Sequence, residues 1–195
     1  MFNIASFVGA AGYIGVAGFV FAECGLFVGF FLPGDSLLFT AGLLASQGSL
    51  NIFLLVFFDL VAAVAGDSVG YAFGRSVGPK IFNRPKSILF KPEYLVEAHR
   101  FFIEYGAKSV ILSRFIPIVR TFVPIVAGAG AMPYRTFLIN NIIGAALWTV
   151  GVTVAGFYLG RTVPNIDHYL LPIILLIIIV SVLPAIFHIF KKRRS

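Results

Sequence analysis

Apolar residues run through this chain in long blocks, with no strict alternation of hydrophobic and polar positions. A bilayer core takes about 20 consecutive apolar residues per helix. Residues 170–190 meet that length with His188 as their one titratable side chain, and they end at Lys191-Lys192-Arg193-Arg194. Residues 137–160 meet it with no charge at all, and 50–73 meet it while carrying Asp59 and Asp67. Two further apolar stretches are interrupted. The stretch 15–46 is broken by Pro33-Gly34-Asp35, and 108–132 by Arg114, Pro117, Arg120 and Pro124. Each half would make only about 18 to 24 Å of helix, too short to cross. A short limb, a Pro/Gly break and a second short limb predict a re-entrant hairpin, with Pro33 and Gly34 marking the first tip and Pro117 and Pro124 the second. Such backbone survives at membrane depth only when buried in protein or lining a wet cavity.

The pattern recurs. Phe31-Leu32-Pro33 returns as Phe115-Ile116-Pro117, and Ala41-Gly42 returns as Ala127-Gly128. Gly70-Tyr71-Ala72-Phe73-Gly74-Arg75-Ser76-Val77 returns as Gly156-Phe157-Tyr158-Leu159-Gly160-Arg161-Thr162-Val163. Three ordered matches at nearly one offset predict two copies of a unit, each a hairpin followed by a spanning helix. A hairpin returns to its own side and a helix crosses, so the second copy starts on the opposite face. The expected fold is therefore an all-α integral membrane protein, an inverted repeat of re-entrant helical hairpin plus transmembrane helix. An extra C-terminal transmembrane helix follows. As one membrane domain over 1–195, the parts are an N-terminal apolar or interfacial segment (1–14), repeat 1 (15–74), a loop with an amphipathic helix (75–107), repeat 2 (108–161), the C-terminal helix (168–190) and a basic tail (191–195).

Composition excludes most other classes. Of 195 residues, 59% are hydrophobic and 12% charged, against roughly half and a quarter in soluble domains. A soluble domain of this size could not bury so much apolar surface. The net charge of +7 would suggest nucleic acid in a soluble protein, but none is expected as a partner here. Counting the loop from Arg75 to Lys108, Arg135 and the C-terminal basic run, twelve lysines and arginines fall on one side, against Arg161 on the other. This bias predicts that the loop and the C-terminus are cytoplasmic. Residues 92–105 predict an amphipathic helix at the inner leaflet, opened by Pro92 and stopped by Gly106. No positive charge precedes the first apolar run, so it does not read as a signal peptide. One cysteine, Cys24, allows no internal disulfide, and His99, His168 and His188 match no ligand spacing, so neither a metal nor a cofactor is expected.

Ionisable residues within apolar segments are costly and mark candidate sites. Six occur: Glu23 and Asp35 flank the first predicted tip, Arg114 and Arg120 flank Pro117 in the second, and Asp59 and Asp67 lie between the hairpins. Two hairpins entering from opposite faces would bring an acidic tip and a basic tip together. Asp35 and Ser36 are good N-cap residues for a limb whose N-terminus points inward. Arginines beside a helix N-terminus suit an anionic group, and a phosphate matches the guanidinium fork. Glu23 and Asp35 would neutralise those arginines in the empty site and carry protons. The same four charges would equally serve as an ion-pair network docking the hairpins. Asp67, Asp59 and Arg75 are possible supports. Asn140, Asn141 and Trp148 read as packing and interface anchors, and the glycines at 66, 70, 74, 128 and 130 as close helix contacts rather than a nucleotide loop.

With those residues assembled, the chain resembles the DedA family, the bacterial members of the SNARE-associated, VTT-domain superfamily. The resemblance rests on Glu23 with Phe31-Leu32-Pro33-Gly34-Asp35, then Gly66-Asp67-Ser68-Val69-Gly70-Tyr71 with Gly74-Arg75. It continues through Arg114-Phe115-Ile116-Pro117, Arg120, Ala127-Gly128, Met132, Phe137, Asn141, Gly144 and Trp148. The resemblance implies facing re-entrant hairpins, dependence on the proton gradient, and translocation of undecaprenyl phosphate or a phospholipid. It implies essential acids at Glu23 and Asp35 and essential arginines at Arg114 and Arg120. Asp59 has no counterpart in that pattern. The expectation is a lipid translocase (flippase) of the bacterial cytoplasmic membrane, not an enzyme, with a membrane lipid and protons as partners and a homodimer left open. A proton-coupled carrier for small ions or molecules and a non-transporting scaffold are the alternatives.

Overall fold

A computed structural model describes residues 4–25, 34–81 and 105–162, and every element among them is a helix. They are α1 (Ile4–Gly25), α2 (Gly34–Ser46), α3 (Ile52–Ile81), α4 (Lys108–Ser113), α5 (Pro117–Ala129) and α6 (Tyr134–Thr162). The predicted first tip at Pro33, the amphipathic helix, the C-terminal helix and the basic tail lie outside the described residues, apart from the loop's first and last few positions.

Two helices are long and apolar enough to cross a bilayer, Ile52–Val77 within α3 and Tyr134–Thr162. Their outward faces carry Phe53, Phe57, Val61, Ile139, Leu147 and Tyr158, all exposed. An apolar face of that extent fits hydrocarbon and not water. α3 continues through Arg75 to Ile81, past the expected boundary at residue 74. Gly74, a weak helix former, is held there by close packing against α5. α1 already begins at Ile4, and its helical dihedrals break at Gly12, where φ is +58°; only glycine adopts that conformation without strain. The continuous part beyond the break, Gly12–Gly25, is too short to span.

The short helices distribute themselves over the two long ones in an exchanged pattern. α1 packs on α3 and α4 on α6, whereas α2 crosses to α6 and α5 crosses to α3. α1 runs alongside α3: the Asn51 amide N–H donates to the Tyr13 hydroxyl at 2.7 Å, and further along Gly25 meets Gly66. α2 begins against Glu23 and ends at Ser46, close to the start of α3. α1 and α2 therefore open toward the N-terminal end of α3. α4 and α5 open the other way, since α5 ends at the turn where Met132 meets Tyr71 and α6 begins.

Glycines set the closest approaches between these helices. A Cβ on Gly42 would overlap the Thr153 carbonyl, and one on Gly156 the Phe39 carbonyl, so α2 and α6 touch backbone to backbone. A Cβ on Gly74 would overlap the Ile125 carbonyl, and one on Gly128 the Tyr71 carbonyl, giving α3 and α5 the same relation. Lipid supplies no hydrophobic drive between helices, so such van der Waals seats carry the association. Between them lie two cores. Val16, Val20, Leu37, Leu38, Leu55 and Trp148 belong to one, and Tyr71, Val110, Val123 and Phe137 to the other.

The turn between α4 and α5 explains one departure from expectation. Arg114, Phe115 and Ile116 donate i→i−3 backbone bonds of 3.0 to 3.3 Å, so α4 tightens as it ends. Ile116 is then extended (φ −118°, ψ 106°), as the residue before a proline is forced to be, and Pro117 opens α5, where its missing N–H costs nothing. The tip is at Pro117 alone. Pro124, expected to share it, lies inside α5. It removes the helical bond to the Arg120 carbonyl, a loss that packing against other helices tolerates at membrane depth, and it seats against Gly70 of α3.

Candidate functional site

Where α1, α2, α5 and the end of α4 meet the two long helices, the structure brings five of the predicted charges together in two clusters. The first is built on Arg114, the residue capping α4. Its Nη2 donates to the Asp67 carboxylate on α3 and, at 2.5 Å, to Asn141 Oδ1 on α6. Asn141 Nδ2 in turn donates to the Val64 carbonyl at 3.3 Å. The arginine and aspartate side chains are 4% and 7% exposed, so the pair is almost wholly buried. Arg114 Nε is buried and finds no acceptor.

The second cluster is built on Arg120, in the first turns of α5. Nη2 donates to Glu23 Oε1 on α1, and Nη1 donates to Asp35 Oδ1 on α2 at 3.0 Å. Trp148 of α6 closes it, its Nε1 donating to the same Asp35 oxygen at 2.7 Å. The Arg120 guanidinium also lies 4.8 Å from the centre of the Trp148 ring, a cation–π contact. Glu23 is buried and its Oε2 is unpartnered. Gly34, the first residue of α2, presses so closely on that carboxylate that any Cβ there would overlap it. The positive end of α2 thus faces Glu23. Asp35 is the second residue of α2; its side chain serves Arg120 and Trp148, and at 22% exposure it is the most open of the group.

A cavity of about 260 Å³ opens beside the clusters, lined by Asp35, Arg114, Trp148, Phe115, Leu147 and residues of the next turn of α6. Its inner wall carries one charge of each sign, and its mouth is apolar, with Phe115 and Leu147 more than half exposed. Among the described residues no group of three histidines, cysteines, aspartates or glutamates is arranged to hold a metal.

Two of the possible supports stand apart. Asp59 is fully buried on α3, but neither of its oxygens has a partner and no cation among the described residues is within ion-pair reach. Eight residues separate it from Asp67, which is more than two turns of α3. Arg75 lies farther along α3 and donates to the Tyr71 hydroxyl at 2.9 Å. Conversely, Asn141 and Trp148, read from sequence as packing, bind the two arginine centres directly. The available signal was their position: polar donors in an uncharged spanning run must find partners inside the protein.

Long apolar helices around a buried charged centre define a helical membrane protein with a polar interior. Comparison with known proteins gives the family. The VTT domain matches residues 32–158. The chain is 47% identical to protein DedA of Escherichia coli K12 over 178 residues, covering 90% of this chain and 81% of that protein. It is 46% identical to an uncharacterized membrane protein of Mycobacterium leprae over 90% of this chain and 78% of the relative. It is 32% identical to the E. coli K12 inner membrane protein YqjA over 81% and 76%. No solved structure matches. The chain belongs to the DedA family of VTT-domain membrane proteins.

Proposed function

We propose that this protein is a lipid translocase of the bacterial cytoplasmic membrane, moving undecaprenyl phosphate or a phospholipid with proton coupling and performing no covalent chemistry. The observation that carries the reading is the lateral cavity, charged inside and apolar at its mouth, against which Asp35, Arg114 and Trp148 converge. In this reading the lipid phosphate enters there and takes the guanidinium groups of Arg120 and Arg114, while the chain stays in the bilayer. Glu23 and Asp35 hold Arg120 in the empty site, release it to the phosphate, and reset the site with protons. Arg114 stays anchored on Asp67 and offers the unpartnered Nε.

The exchanged packing of α1, α2, α4 and α5, with its matched glycine seats, supports an inverted repeat of re-entrant hairpins. Loading from one leaflet and unloading to the other is what such symmetry serves. The distribution of lysine and arginine supports a cytoplasmic C-terminus.

The test is transport in proteoliposomes loaded with labelled undecaprenyl phosphate or labelled phospholipid under a pH gradient. Wild type moves one of these lipids, and Arg120→Ala abolishes movement while the protein elutes as a folded species. Normal transport by Arg120→Ala eliminates the phosphate site. A second reading, a docking network without transport, is favoured by the full pairing of Arg120 with two carboxylates. It predicts that exchanging arginine and acid across that contact preserves function.

A further inference from the structure

A second polar cavity lies away from the charge clusters, at the C-terminal end of α3 and the N-terminal end of α6. It has a volume of about 500 Å³ and is lined chiefly by Ser68, Tyr71, Arg75, Ser76, Pro133 and Tyr134. Its cation is braced from one side only. Arg75 Nη1 donates to the Tyr71 hydroxyl at 2.9 Å, and that hydroxyl donates to the Met132 carbonyl in the α5–α6 turn. The Tyr71 ring is itself fixed by stacking on Phe137 at 4.7 Å and packing on Tyr134 at 5.3 Å. The guanidinium, on a residue that is exposed, is thus positioned while no carboxylate among the described residues pairs with it, and no acid is among the described residues that line the cavity.

The hydroxyls along the wall are already spent as donors. Ser68 Oγ donates to Val64, Ser76 Oγ to Ala72, and the Tyr134 hydroxyl to Ser68. What remains for a ligand is the rest of the guanidinium and the first turn of the 29-residue helix α6, whose N-terminus carries free N–H groups and a positive dipole. Both select an oxyanion, and a fork of N–H groups beside a helix N-terminus suits a phosphate. The cavity also lies at the end of both spanning helices, the level at which lipid headgroups meet them and tyrosines collect.

We infer that the Arg75 cavity is a second anion site, which binds a phosphate group at the membrane boundary, separate from the Arg114 and Arg120 centre. The chemistry is common to a lipid phosphomonoester and to free phosphate. The test is equilibrium binding to the purified full chain in neutral detergent, probed separately with phosphatidic acid, phosphatidylcholine and inorganic phosphate. Arg75→Gln is expected to weaken the bound anion about tenfold, the loss of one charge-assisted contact. Arg75→Lys should recover part of that loss, and Arg135→Gln, an exposed neighbour outside the cavity, should match wild type. An Arg75-dependent signal for phosphatidic acid alone identifies a lipid headgroup site, and one also for inorganic phosphate identifies a free-anion site. Equal binding by wild type and Arg75→Gln, or equal losses from Arg75→Gln and Arg135→Gln, overturns the inference. Binding is read without transport, so a null result here leaves the Arg120→Ala transport test standing, and the converse also holds.

Discussion

Arg114 and Arg120 are six residues apart on either side of Pro117, yet they build opposite kinds of centre. Arg114 meets one acid and one amide inside a buried contact, and those partners belong to α3 and α6, the two long helices. Arg120 meets two acids from α1 and α2, under a tryptophan and with Asp35 partly open. A single buried partner that cannot be exchanged makes a dock. Two competing acids beside a cavity make a cation that can be handed over. Under the proposed function, the contrast gives architecture chiefly to Arg114 and exchange chiefly to Arg120, although only the turn at Pro117 separates them.

The sharpest way to break the contrast is to remove Asp67. Asp67→Ala leaves Arg114 buried without its counter-ion, a change that typically costs about 3 to 5 kcal/mol. We expect the thermal unfolding midpoint in detergent to collapse and folded yield with it. Arg114→Met combined with Asp67→Leu should restore much of the stability, because an apolar pair of similar volume removes both desolvation costs, while transport stays lost. If Asp67→Ala unfolds at the wild-type temperature, Arg114 is no dock and the distinction fails.

The two halves offer a second comparison, through their glycine seats. Gly74 approaches the Ile125 carbonyl and Gly156 the Phe39 carbonyl, each too closely for a Cβ. Gly74→Ala and Gly156→Ala should each destabilise by about 1 to 3 kcal/mol, the usual cost of overpacking, measured by the same unfolding midpoint. Comparable losses mark the seats as equivalent. A loss from one alone shows that only one crossing is tight.

How much of this was legible in the sequence follows from what each residue type costs in a bilayer. The break of the chain at Pro117 could be read because charges and prolines in short apolar runs are expensive. The acids and arginines of the site could be read for the same reason. The pairing could not, because four charges near two tips allow several partners and only the crossing of α5 onto α3 brings Arg114 to Asp67. Pro124 misled because proline marks both a break and a tolerated bend, and what distinguishes them here is contact with Gly70, which is tertiary. Asn141 and Trp148 were masked by an otherwise unremarkable apolar run, in which an amide and an indole carry no charge to draw notice.

Trp148 sharpens the difference between dock and exchange site directly. Trp148→Phe keeps an aromatic face under Arg120, deletes the N–H donated to Asp35, and leaves a small gap where the larger indole packs in the core. A hydrogen bond to a charged group contributes about 1.5 to 3 kcal/mol, so if it holds Asp35 in place for exchange, transport should fall by about tenfold. The unfolding midpoint should fall modestly, by less than in Asp67→Ala, which strands a buried charge. A large loss of stability with normal transport per folded molecule would move Trp148 to the docking side.

The smallest effect is expected at Asp59, and it completes the comparison within a single helix. Asp59 and Asp67 are both buried on α3, but only Asp67 has partners. Asp59→Asn replaces one unpartnered polar head by another of nearly the same shape, so no ion pair or hydrogen bond among the described residues is lost. Stability and lipid transport should both stay close to wild type, because shape is kept and no pairing contact is disturbed. The result that would sink this expectation is a folded Asp59→Asn protein that no longer transports. Since the amide preserves shape but cannot exchange a proton, such a loss would make Asp59 a proton-carrying group of the transport cycle. The functional acids would then extend beyond the two held by Arg120.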